Sequence, residues 1–300
     1  MLAVKGFGCA AALGAGVLLC ASPVLAAPPE APTAASNPVS DYFAHWMDRV
    51  EQAQSTQPHW MTPVVTVTPR LEQEFRFDFG FQGAGDGSHL DNYGAGKGVE
   101  LIPTTSNEIL VNVPPYEVRS GARAAAGFGD DTVLMVKQRF LSANEQEGNY
   151  ILTGFLAIQA PVGSKAFTNH AWVVTPTLAG GKGWGDFDIQ ATVGLALPTA
   201  RAHAIGDSLA TNVAFQYHFA QVFWPELELN DTYWMGGERG GLNQLYVTPG
   251  VVFGRFPIAG RINAIVGVGY QIAVSPRLRR TPALTPIYDR QFILTTRMSF

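Results

Sequence analysis

The sequence predicts an all-β fold: an antiparallel transmembrane β-barrel of about twelve strands, with a short N-terminal helix on the periplasmic side. Three observations carry that prediction. The first is the stretch "LEQEFRFDFGF" at Leu71 to Phe81, where Glu72, Glu74, Arg76 and Asp78 alternate with Phe75, Phe77, Phe79 and Phe81, after Leu71. Strand side chains point alternately to opposite faces, so one face is aromatic and the other charged. A membrane barrel turns the aromatic face to lipid and keeps the charges within. The second is a dozen or so period-2 segments whose linkers alternate between long and short, as an even-stranded barrel with both termini on one side requires. The third is that no apolar run beyond the first residues approaches the ~18 needed for a membrane helix, which leaves a closed barrel as the spanning solution.

Taken in order, residues 1–26 read as a signal peptide. Lys5 supplies the positive end, Gly6 to Cys20 the apolar core, and Val24-Leu25-Ala26 a cleavage site of small-residue type. Both cysteines, Cys9 and Cys20, fall within it, so the exported chain would hold no thiol. Cleavage also removes one of the 20 basic residues and none of the 24 acidic ones, and this acidic balance argues against nucleic acid as a partner.

Residues 27–67 form a periplasmic leader. It begins with the proline- and alanine-rich "APPEAPTAASN" and continues into an amphipathic helix. Ser40 is placed to cap that helix, and Tyr42, Phe43, Trp46, Met47 and Val50 line one side of it. Such a stripe is ordinarily packing surface, here near the barrel's periplasmic mouth. A plug or membrane-surface role is the sharper alternative.

The barrel is assigned to residues 68–300. After the opening strand come segments around Gly98 to Ile102, Asn107 to Val113 and "TVLMVKQRFL" from Thr132, followed by "NYILTGFLAIQ", "AWVVTPTLA", "FDIQATVGLAL", "TNVAFQYHF", "ELELNDTYW", "QLYVTPGVVFGRF", "RINAIVGVGYQIAV" and "RQFILTTRMSF". Long linkers such as "QGAGDGSHLDNYGAGK" and "PPYEVRSGARAAAGFGDD" alternate with short ones such as "PTTS", "SANEQEG", "GGKGWG" and "FPIAG". The alternation places Leu227, Leu229 and Tyr233 outward and Glu226, Glu228 and Asn230 inward. Likewise Leu134, Val136 and Phe140 face out, and Lys137 and Arg139 face in. Asp231 and Gln138 fall on the outward side, a costly place unless each lies near a membrane interface.

The last strand sets Phe292, Leu294, Met298 and Phe300 on one face, broken by Thr296. A terminal strand of this pattern ending in Phe resembles those of bacterial outer-membrane proteins. That ending implies recognition of Phe300 by the barrel-assembly machinery, with outer-membrane lipid as the surroundings. The blocks "HWMTPVVTVTPRLEQEFRFDF" at His59 to Phe79, "GKGVELIP" at Gly96 to Pro103 and "VPPY" at Val113 to Tyr116 resemble outer-membrane proteins grouped under the label "MetA-pathway of phenol degradation". The resemblance implies a transporter-like barrel linked with uptake of aromatic compounds, and it brings no catalytic motif.

The candidate pore-lining set is Glu72, Glu74, Arg76, Asp78, Lys137, Arg139, Glu226, Glu228 and Arg297. Closing the barrel sets the last strand beside the first, bringing Arg297 towards Glu72 and Glu74. Two readings of the set stand side by side: a charged constriction that selects small solutes, or an ion-pair network that fills a narrow barrel. The six histidines show no metal-ligand spacing, and no cofactor motif is present. "GAGKG" at Gly94 and "GGKGWGD" at Gly180 read as turns. His218 has no nucleophile partner that spacing identifies. The function expected is passive passage of small molecules, aromatic or hydrophobic ones included, without a chemical step. The alternatives are a structural or surface-recognition barrel and, behind both, an outer-membrane hydrolase.

Overall fold

A computed structural model describes residues 37–84, 87–121, 123–275 and 288–300. The expected signal peptide lies outside the described residues. The chain divides into two units, Met1–Asp41 and Tyr42–Phe300. In the first, Asn37 starts helix α1 (Pro38–Ala44): its side chain accepts the Val39 N–H at 3.0 Å and its carbonyl accepts that of Asp41. The cap is therefore Asn37 and not Ser40. Pro38 follows it at the first helical position, where a missing N–H costs nothing. A second helix, α2 (Trp46–Ser55), begins after His45, so the single helix expected is two.

The second unit is a closed antiparallel barrel. Its wall is formed by β1 (Glu74–Gly83), β2 (His89–Thr104), β3 (Asn107–Val111), β6 (Asp131–Ala143), β7 (Tyr150–Ala160), β8 (Val173–Trp184), β9 (Phe187–Pro198), β10 (Ser208–Tyr217), β11 (Phe223–Trp234), β12 (Asn243–Ala259), β13 (Ile262–Ser275) and β14 (Arg290–Ser299). Closure comes from β1, which pairs with β2 on one side and with β14 on the other, in an unbroken register from Glu74 opposite Ser299 to Gly83 opposite Arg290. A hairpin of β4 (Tyr116–Arg119) and β5 (Ala125–Phe128) extends the far end of β2 by pairing with Leu90–Tyr93.

Connections of a few residues, such as 105–106, 185–186 and 260–261, gather at the end where Phe300 lies, here the turn end. The longer connections gather at the opposite, loop end, where α3 (Ala202–Ile205) and a 3-10 turn (Gly237–Arg239) sit. The predicted alternation holds except at the first connection, 84–88, which is as short as those of the turn end, and the strands are longer than expected. Most of "QGAGDGSHLDNYGAGK" is not a loop but the outer half of β2, and "GGKGWG" and "FPIAG" lie largely in β8 and β12. Glycine-rich composition hid the first of these. Gly96 and Gly98 take positive φ of 131° and 63° beside register shifts against β1, and a side chain at Gly98 would collide with the Val111 carbonyl.

The faces follow the alternation. Along β1, Glu74, Arg76 and Asp78 are buried while Phe77 and Phe81 are exposed. Along β11, Glu226, Glu228 and Asn230 are buried and Leu227 and Tyr233 exposed. Gln138 pairs with Asn107 at the turn end, and Asp231 accepts from Asn243 near the loop end, so both sit towards strand ends. Trp172, Tyr217, Tyr233 and Tyr270 are exposed on the outside. Trp224 and Trp234, which suit an aromatic girdle by position, point inward instead, at 3% and 1% exposure.

Candidate functional site

The barrel, expected from residue 68 with its first strand from Leu71, begins at Glu74, because residues 57–73 run through its inside. Pro58, Pro63 and Pro69 interrupt this segment, and a proline has no N–H to give to a ladder. The segment has no strand or helix of its own. Its backbone groups must still be satisfied, and inward-facing side chains do so.

The donors of the segment meet carboxylates. Glu226 accepts the N–H of Val64 at 3.0 Å, Glu228 those of Val65 and Thr66 at 2.7 and 2.6 Å, and Glu108 of β3 that of Glu72 at 2.6 Å. The acceptors meet cations and amides. Arg297 donates to the carbonyls of Thr62 and Pro63, Arg76 to Val64 at 2.6 Å, Lys137 to Arg70 at 3.2 Å, and Gln190 to Met61 at 2.9 Å. Hydrogen bonds with one charged partner are the strong kind. Ion pairs complete the pattern: Arg76 with Asp78 at 2.8 Å, Lys137 with Glu108 at 2.9 Å and Glu100 at 3.6 Å, and Arg70 with Glu72 at 3.0 Å.

Apolar residues of the segment and of α2 dock between these contacts. Met61 and Val64 pack with Trp224, Val252, Ile265 and Ile293; Leu71 packs with Val50, Ala53 and Ile102; Val67 lies against Leu110 and Met135. Leu71 is accordingly inside, and its place before the phenylalanines does not make it lipid-facing. At the turn end Arg139 donates to the Ala53 carbonyl at 2.7 Å, setting a cation at the C-terminal end of α2. Glu145, in the turn between β6 and β7, anchors the start of the segment by accepting from the His59 backbone and ring at 2.5 and 2.9 Å. Burial pushes its carboxyl up, but the His59 bonds outweigh that and hold it below the usual range.

Of the residues singled out in the sequence, Glu74, Arg76, Asp78, Lys137, Glu226, Glu228 and Arg297 face the interior, and Arg139 lines its turn end. Glu72 is the correction. It belongs to the interior segment and not to a strand, bound by Arg70 and by the Thr62 hydroxyl at 3.1 Å. Arg297 lies opposite Arg76 in register, which brings it near Glu74 as expected, while Glu72 lies in the interior segment. Sequence reasoning missed Glu108, Gln190 and the segment itself. The signal for the segment was the run of prolines within "QPHWMTPVVTVTPR", which no ladder accommodates. His218 stacks on Trp224 with ring centres 4.3 Å apart.

Space remains on both sides of the segment. Towards the turn end is a cavity of about 270 Å³ beside Glu51, His59, Arg70 and Arg255. Towards the loop end another of about 270 Å³ lies against Val64, Val65 and Val67. A larger one of about 440 Å³ lies farther out, between β2, the β4–β5 hairpin and residues 166–169.

No protein-family model and no curated protein matches the chain. Among solved structures it is similar to an outer-membrane channel from Pseudomonas putida F1, at 14% identity over 76% of this chain and 94% of that one, with a TM-score of 0.52. It is also similar to the KdgM porin, at 9% identity over 76% and 99% of the two chains, with a TM-score of 0.44. The first likeness supports the fold, a closed antiparallel β-barrel of twelve strands.

Proposed function

We propose that the chain is a bacterial outer-membrane channel for small solutes, held closed here by residues 57–73. One observation carries the reading: the interior charges bind the backbone of a segment that takes no part in the barrel's ladder. The wall closes through β1 and β14 without it. Groups such as Glu228 and Arg297 can exchange the segment for water, because a water-mediated bond is nearly as good as a direct one. A lumen built only to be filled would pair its charges with one another, and here many of them face a removable strap.

On this reading residues 1–26 direct export, residues 27–56 remain on the periplasmic side, Phe300 serves the assembly machinery, and lipid meets the Phe77 and Phe81 face. The apolar wall of the inner cavity, with Val64, Val65, Leu110 and Met135, suits aromatic or hydrophobic solutes. So does the resemblance of "VPPY" and its companion blocks to the phenol-pathway group. No chemical step is assigned.

The filled lumen also favours a second reading, a structural barrel that never opens. Planar-bilayer recordings of the full chain and of a variant lacking residues 38–72 separate the two. A channel gives rare or small openings in the full chain and steady conductance in the variant. A folded variant that conducts nothing leaves the structural reading.

A further inference from the structure

The outer and inner cavities at the loop end meet at three residues, Ala95, Asp131 and Tyr288, each of which lines both. Together they form a throat between the two cavities, on the loop side of the interior segment. Ala95 leaves space. The Tyr288 ring is fixed, its hydroxyl donating to Gln271, its carbonyl accepting from the Tyr246 hydroxyl at 3.2 Å, and its ring centre 4.9 Å from that of Tyr246. Asp131 is the acidic member. Its carboxylate is oriented by the Asn112 amide at 2.6 Å and by the Thr132 N–H at 2.7 Å, and no ion pair with an arginine or lysine engages it among the described residues.

Three of the other charges nearby are committed. Arg76, on the inner side, is paired with Asp78. Arg119, on the outer side, donates to the Ala166 carbonyl at 2.9 Å and lies 4.6 Å over the Phe167 ring. Asp130 accepts from Gly163, Thr168 and Asn169. His89, Glu117 and Arg123 also line the outer cavity.

The geometry points to Asp131 as the selecting group of this throat, admitting small organic cations and repelling anions, with Tyr288 setting the width. A fixed carboxylate flanked by low-dielectric walls is the arrangement by which acidic constrictions favour cations. The inference rests on the channel reading and adds to it the charge class of the solute.

The test uses the absence of thiols beyond Cys9 and Cys20. With both replaced by serine if the leader is retained, Ala95→Cys is placed in the full chain in outer-membrane vesicles. It is then treated with methanethiosulfonates carrying either a trimethylammonium or a sulfonate group. Each rate is normalised to that with a free small thiol. The ammonium reagent is expected to react on the order of tenfold faster than the sulfonate, and Asp131→Asn to bring the ratio close to unity. Equal rates, or a ratio that Asp131→Asn leaves unchanged, overturn the inference. Tyr288→Cys reports on the same throat should Ala95→Cys fail to assemble. Labelling from the loop end requires no movement of residues 57–73, so the outcome is independent of the conductance experiment.

Discussion

Glu228 shows what a buried carboxylate needs inside a barrel. It is fully buried, and its two oxygens take the adjacent N–H groups of Val65 and Thr66. Replacing it with glutamine removes the charge and turns an NH₂ towards one of those donors. One donor is then left unsatisfied, at a cost of about 1–3 kcal/mol. That cost falls on the state in which the segment is docked. Glu228→Gln is therefore expected to raise the open probability by about tenfold or more, read in single-channel records, with the gel mobility of the folded barrel unchanged. The inward position of Glu228 was legible because polar and apolar residues alternate without a break through "ELELN". The same rule misplaced Glu72, since alternation does not mark where a strand begins. Glu74 pairs with β14 and Glu72 does not.

At the scale of elements, the β4–β5 hairpin carries its own titration. Glu117 on β4 accepts from the Asn92 amide at 3.0 Å. Burial raises its carboxyl from 4.5 to about 7, against the opposing pull of Arg119 and Asn92. The folded hairpin thus binds the proton more tightly than the unfolded chain does. Its stability falls as pH rises from 4.5 to about 7, and the whole penalty is present above that. Glu117→Gln should remove the pH dependence and slow hairpin opening above neutrality, measured as amide-exchange protection factors of Tyr116 to Phe128 against the native chain. None of this hairpin was legible beforehand. Its residues sit in a glycine- and alanine-rich linker, and β4 and β5 exist by pairing with the outer end of β2, itself read as loop. Strand segments with strong alternation were found. Those made of glycine and small polar residues were not, because their pairing is decided by a neighbour.

At the scale of the whole molecule, the register of β1 with β14 joins the two ends of the barrel and leaves no open wall edge in the ring of pairings. A closed hydrogen-bonded ring opens only all at once. The protein extracted in detergent should therefore run at a different gel mobility before and after boiling, with a β-rich circular dichroism spectrum before and its loss after. A soluble species without a mobility shift would contradict the membrane assignment. Closure and approximate strand number were legible from linker lengths and the terminal strand. Occupancy of the lumen was not, since a polar inward face reads the same whether water or a peptide meets it.

The interior segment passes without interruption into β1, and its last residue, Gln73, also accepts the N–H of Phe300 at 3.0 Å. It is therefore a ligand on a leash. Once undocked it stays within reach of its site, at an effective concentration of order millimolar. Re-docking is then a first-order event whose rate is the same in a dilute vesicle and in a crowded membrane. A free peptide of the same sequence, supplied in solution, would have to reach that concentration to compete.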